Sequence, residues 1–258
     1  TLGGGWGLAS FDPFCLSVQV YAKFVGVDLT IEEVKGYQTS RIKRVPILEH
    51  DDNYVVSSQI IDYFKNELGK DLDKNLSNEQ KADVSAFISV IEDKLYFIMM
   101  EKWFNVKNAA VSNKVYFNKL IFPLSYVSKM FHTSSIRSQM DVLQFPETTE
   151  DIHSIYATLD AKLGSKKFFM GENPTSLDAV VFGHLAIQYF APMPDSSLRE
   201  EIQKFPRLVN YLERVSRNLF DSLPDYDKSV VERSKNASAI VRYWQYGIAA
   251  GVVSILLW

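Results

Sequence analysis

Residues 45–61 read Val-Pro-Ile-Leu-Glu-His-Asp-Asp-Asn-Tyr-Val-Val-Ser-Ser-Gln-Ile-Ile, and their order decides the fold of the first half of the chain. Two short apolar runs, Val45–Leu48 and Tyr54–Val56, flank the turn-prone Asp51-Asp52-Asn53, which predicts a β-hairpin. Ser57 or Ser58 then caps a helix through Ile60, Ile61, Tyr63 and Phe64 that ends near Gly69. Pro46 opens the first run, which suits a proline at the start of an edge strand.

Upstream, Asp12 is an N-cap, Pro13 suits the first helical position, and Phe14, Val18, Tyr21 and Val25 recur at helical spacing before Gly26. Asp28–Val34 reads as a strand, followed by a loop with Arg41, Lys43 and Arg44. That loop reads as solvated, or else as a contact for an acidic partner or lipid headgroups. With a strand allowed near residues 1–6 the order is βαββα, an α/β domain over 1–69. Downstream of the polar linker 70–76 everything reads as helix. Ser77 and Gln80 form a capping box before Val84, Phe87, Ile88, Ile91, Leu95, Ile98 and Met99. Further helices are expected around 112–132, 149–163, 176–191 and 196–220, with Gly164, Pro174, Pro192 and Pro206 as breaks. This all-α domain is placed at 77–222, a polar linker at 223–236 and a terminal helix at 237–258.

The chain has 258 residues, 47% hydrophobic and 23% charged, with a formal net charge of -3. That composition supports packed cores and argues against a nucleic-acid partner, since no basic stripe with interleaved aromatics is present. A single cysteine, Cys15, excludes an intramolecular disulfide and a cysteine-based zinc site. The four histidines (His50, His132, His153, His184) fall at no metal-ligand spacing, and His184 among apolar residues reads as a hydrogen-bonded core histidine. No metal and no cofactor are expected. No cleavable leader is read, so an address is expected at the C-terminal end.

An α/β half followed by an all-helical half resembles the glutathione-transferase architecture, with a thioredoxin-like first domain. Val45-Pro46-Ile47 lies where that superfamily uses a cis proline. Ser57-Ser58-Gln59-Ile60-Ile61 is similar to its Glu-Ser-x-x-Ile segment, and Thr175-Ser176-Leu177-Asp178 to the capping box of its core helix. Four blocks resemble the metaxin family more closely: Gly3-Gly4-Gly5-Trp6-Gly7-Leu8-Ala9-Ser10, Tyr21-Ala22-Lys23-Phe24, Phe122-Pro123-Leu124-Ser125, and the run from Phe168 to Ala179. The resemblance extends over 3–220, and 105–121 and 132–150 add little to it.

In active relatives a Cys, Ser or Tyr at the amino end of the first helix holds a thiolate. Here the segment is Asp12-Pro13-Phe14-Cys15, as if a Cys-Pro-Phe-Cys motif had lost its first member. An ionised aspartate cannot donate to a thiolate and opposes its charge. Ser57 stands where the resemblance calls for Glu, while Ser58 remains able to hydrogen-bond or to cap. Cys15 is read as a buried thiol, with an activated thiol as the alternative, and Ser10 is the remaining hydroxyl. No catalysis is expected, and Asp12, Cys15, Pro46, Ser57 and Ser58 are read as a vestigial thiol site.

Beyond Arg242 the chain carries no charge. Residues 243–258 span roughly 24 Å as a helix, short of the about 20 residues of a full crossing unless the helix extends back to Ala237. Tyr243, Trp244 and Tyr246 suit an interfacial belt, Trp258 closes the segment, and Arg233, Lys235 and Arg242 lie on the side left in the cytosol. Gly247 and Gly251 form a GxxxG pair. A membrane anchor is the reading, with a buried or interfacial helix as the alternative. The resemblance implies a cytosol-facing, non-enzymatic subunit of the mitochondrial outer-membrane sorting and assembly machinery that assists protein import and β-barrel insertion. A β-barrel insertase and a second metaxin-like protein are the implied partners. A motor adaptor, a fixed subunit of another mitochondrial membrane complex, and a membrane-bound glutathione transferase stay open.

Overall fold

The structure, a computed structural model, describes residues 4–5, 7–33, 45–57, 59–105 and 149–220, with 107, 108, 111, 112, 115, 134 and 138 between them. Helix α1 spans Pro13–Val25 and is punctuated as its sequence predicts. The Asp12 carboxylate accepts the Cys15 N–H at 2.8 Å, and Gly26 adopts a left-handed φ of 67° that lets the Val27 N–H reach back to the Ala22 carbonyl at 2.9 Å. Strands β1 (Ile47–His50) and β2 (Asn53–Val56) pair antiparallel, with Ile47 opposite Val56 and His50 opposite Asn53 around Asp51 at φ 53°. The Val45–Pro46 bond is cis. Helix α2 (Gln59–Asn66) buries Ile60, Ile61 and Phe64 against α1, where Phe64 stacks on Tyr21 at 5.9 Å.

One strand expectation is corrected among the described residues. Residues 28–33 pair with no strand: Val27 and Leu29 lean inward while Asp28 and Thr30 face out, so the alternation that suggests a strand is real but unpaired. Near the start, Gly5 and Leu8 exchange both backbone bonds at 3.0 Å in a tight turn, while residues 1–3 and 6 of the strand expected near 1–6 lie outside the described residues. Val34, the basic loop 41–44, Ser58, most of the helix expected at 112–132 and everything after Phe220, including the tail positions Tyr243, Trp244, Gly247, Gly251 and Trp258, lie outside the described residues. Among those described, no helix is long and apolar enough to cross a membrane.

The helical half opens with α3 (Asn78–Val90), on which the Ser77–Gln80 capping box closes as expected. A π turn, Ile91–Leu95, joins it to α4 (Tyr96–Phe104). Ile91, Leu95, Met99 and Trp103 are all buried and all four apart. In an α-helix each step of four drifts about 40° round the axis, so an α-helix would carry this stripe out of the core. The wider π turn keeps it facing inward. Within that turn burial pushes the Glu92 carboxyl up to about 7, with Asp93 and Asp62 adding to the effect.

Helix α5 (Thr149–Leu163) precedes α6 (Ser176–Phe190), every residue of which is buried. The stretch expected at 196–220 is two helices, α7 (Ser197–Gln203) and α8 (Pro206–Phe220), divided at the predicted Pro206. Asp178, fully buried, accepts the Thr175 N–H and hydroxyl at 2.8 Å each and the Phe169 N–H at 3.0 Å. Burial still raises its carboxyl to about 6, against those bonds.

Helix α1 packs along α6 more extensively than any other pair of described helices. The approach is set by Gly183, where an added Cβ would lie 2.1 Å from Ser17 Oγ and 2.7 Å from the Pro13 carbonyl oxygen. A second tie is polar. Asp73, in the linker, accepts the Ser176 N–H at 2.9 Å and its hydroxyl at 2.5 Å, and pairs with Lys65 at 2.8 Å. Burial pushes the Asp73 carboxyl up, but the Lys65 and Ser176 donors outweigh it and hold it below its ordinary value.

Gly183→Ala gains about 1 kcal/mol of helix propensity yet overpacks the contact with a carbonyl that cannot turn aside, so we expect a net loss of about 1–3 kcal/mol. Adding Ser17→Ala should recover only part of it; thermal unfolding of the full chain in mild detergent measures both. Glu92 binds its proton up to about pH 7 in the fold but only to 4.5 ordinarily, so stability falls as pH rises across that interval. Glu92→Gln should match the parent below pH 4.5, melt progressively higher than it as pH rises toward 7, and keep that margin above 7.

Candidate functional site

The amino end of α1 is the first place to look for chemistry, because unpaired N–H groups and the helix dipole favour an anion there. In this chain the anion is supplied internally. The Asp12 side chain occupies the Cys15 N–H, and the Asp12 N–H is itself held by Ser10 Oγ at 3.1 Å. Asp12, Ser10 and Cys15 are all buried, the last two with no exposed surface. Phe14 covers the same end, edge-on to Tyr96 at 5.0 Å and to His184 at 5.4 Å. His184 is the core histidine expected: its Nδ1 meets the Val180 carbonyl at 2.9 Å, and burial depresses its pKa to about 4, so it is neutral.

The residues singled out in the sequence are thus brought together only in pairs. Asp12 and Cys15 share one capping bond. Pro46 and Ser57 meet across the end of the hairpin, where the Pro46 carbonyl accepts the Ser57 N–H at 2.8 Å. Ser57 adopts a left-handed φ of 50°, and its carbonyl accepts the Ile60 N–H at 3.1 Å, so it enters α2 through its backbone.

A concavity lies elsewhere. A groove of about 1150 Å³ runs between residues 27–32 and the outer edge of β1, over a floor of Val18, Ile60, Phe64 and Leu68. Pro46 lines it; Asp12, Cys15 and Ser57 do not. Consecutive residues of β1 line the groove, which follows the strand's edge, and Tyr54 of β2 lines it as well. Among the described residues that edge has no strand partner. Unpaired backbone groups above an apolar floor can take an extended chain segment, adding a strand to the hairpin. Nothing in residues 28–33 announced this wall beyond their alternation, and the linker contact of Asp73 with Ser176 carried no sequence signal at all.

Comparisons with known proteins fit this geometry. Residues 152–215 match the family described as glutathione S-transferase, C-terminal domain, and residues 15–130 the family described as outer mitochondrial membrane transport complex protein. The chain is similar to metaxin-1 of Macaca fascicularis, 31% identical over 227 residues covering 82% of this chain and 71% of that protein. It is similar to metaxin-1 of Mus musculus, 29% identical over 272 residues covering 98% and 84%. Metaxin-3 of Danio rerio is 28% identical over 235 residues, 84% and 74%. Among solved structures it resembles the tau class glutathione S-transferase of mango, Mangifera indica, with a TM-score of 0.54 at 15% identity over 92% of this chain and 96% of that one, a likeness of fold alone.

Two measurements check the geometry of the helix end. Asp12→Ala should cost about 1–2 kcal/mol of stability and Asp12→Asn much less, because the amide keeps an acceptor for the Cys15 N–H. In the native full chain a thiol reagent should leave Cys15 unmodified, and one thiol should titrate on addition of denaturant.

Proposed function

The chain belongs to the metaxin family, and from that premise we propose that it is a non-enzymatic subunit of the mitochondrial outer-membrane machinery that imports proteins and inserts β-barrels. In this reading residues 237–258 anchor it, with the bulk facing the cytosol, and it works beside a β-barrel insertase and a second metaxin-like protein. The observation that carries the reading is the match of residues 15–130 to the outer mitochondrial membrane transport complex family. The amino end of α1 supports the non-catalytic part. A carboxylate fills the position that would hold a thiolate, and Cys15 has no path to solvent. Asp12, Cys15, Pro46, Ser57 and Ser58 are then the remains of a thiol site, kept for capping and chain direction. What the fold retains is binding surface, above all the groove along β1, and open strand edges are what an unfinished barrel presents.

Mitochondria lacking the protein should assemble a pulse-labelled β-barrel precursor more slowly, and Cys15→Ala should restore assembly as well as the parent chain does. Normal assembly without the protein would defeat the reading; a requirement for the Cys15 thiol would return catalysis to consideration. Deleting residues 243–258 should leave a folded protein that no longer sediments with mitochondria, because the charge-free segment supplies the transfer energy. Carbonate-resistant association of the truncated protein would place the anchor elsewhere.

A further inference from the structure

Although the chain is net negative, four cations from three separate segments gather on one face. Lys23 ends α1, Lys166 and Lys167 lie in the turn after α5, and Arg214 is on α8. Aromatic rings interleave them. The Lys23 ammonium sits 5.1 Å from the Phe220 ring centre and that of Lys167 5.6 Å from Phe168. The Arg214 guanidinium is 5.2 Å from Phe168 and 5.7 Å from Tyr211. Phe24 meets Phe168 edge-on at 5.9 Å, and Arg214 donates to the Lys167 carbonyl, so the parts form one surface.

Some cations elsewhere on the molecule find carboxylates: Lys65 with Asp73, Lys162 with Asp83, Lys204 with Glu201, Arg207 with Asp160. Among the described residues none of Lys23, Lys166, Lys167 and Arg214 does. Among the described acids nearby, Glu213 leans toward Arg217 at 3.5 Å, and Glu172 is exposed in the following loop. Exposed lysines whose ammonium groups sit over aromatic rings at the surface suit a boundary between a protein and a layer of anions.

We propose that this face rests on the anionic headgroups of the bilayer. The occupant follows from where the face lies. Phe220, under Lys23, ends α8, and the sequence then runs through 221–242 to the charge-free stretch that begins Tyr243-Trp244. This inference rests on the anchored reading given above. A tether of that length holds the face at high effective concentration over the headgroups, so individually weak contacts become effective.

The test uses the full chain reconstituted into vesicles of phosphatidylcholine alone or with about one-fifth phosphatidylserine, with amine acetylation read by mass spectrometry. Lys23, Lys166 and Lys167 should be modified several-fold more slowly on the anionic vesicles, and high salt should abolish the difference. Lys81, exposed on α3, should react equally on both. Equal modification of the three lysines on both vesicle types would overturn the proposal. Carbonate extraction run in parallel separates the two readings. Release from both vesicles would defeat the anchor while salt-sensitive shielding would still support the face, and retention with equal modification would defeat the face alone.

Discussion

Everything described here hangs on the close approach of α1 to α6. A helix whose residues from Cys15 to Ala22 are all buried must be covered on every side, and α2 with the hairpin covers only one. The other side belongs to α6, itself buried along its whole length. Two such helices meet this closely only where one lacks a side chain, and Gly183 against Pro13 and Ser17 supplies that place. The N- and C-terminal halves therefore share one core, and α1, which belongs to the first half in sequence, is a central element of both.

That packing also accounts for the fate of the helix end. A thiolate site at the amino end of α1 needs open space in front of the first turn, yet Phe14 is pressed into Tyr96 and His184 from the helical half. With water excluded, the N–H groups need an internal acceptor, and the Asp12 carboxylate provides it. The carboxylate at Asp12 thus answers a structural demand. Polar groups buried between the halves follow the same rule: Asp73 holds both donors of Ser176, and Tyr21 donates to the Lys70 carbonyl at 2.8 Å while receiving the Leu72 N–H at 3.3 Å.

What could be read from the sequence was local. The caps at Asp12, Ser77 and Thr175, the hairpin around Asp51-Asp52 and the break at Pro206 each depend on residues within a turn of one another, and each is where it was expected. The π turn was not expected from the sequence, because the apolar residues spaced by four from Ile91 to Trp103 also match an ordinary helical period. Residues 28–33 misled for the opposite reason, since alternation reports which side chains lean inward and says nothing of whether a neighbouring strand is there to pair. Asp73 and Gly183 were illegible because their partners lie a hundred or more residues away, at Ser176 and at Pro13 and Ser17.

The candidate site was legible in its chemistry and not in its place. Charge and donor arguments at Asp12 needed only the order Asp-Pro-Phe-Cys, because a helix start fixes which backbone donors a side chain can reach. The groove needed tertiary structure: its floor comes from α1 and α2, its walls from residues 27–32 and β1, and no spacing in the sequence relates them. Reactivity and concavity are separable for this physical reason. Reactivity resides in a few atoms whose charge one substitution can reverse, whereas concavity is a property of how several elements pack and survives so long as the α1–α6 contact does.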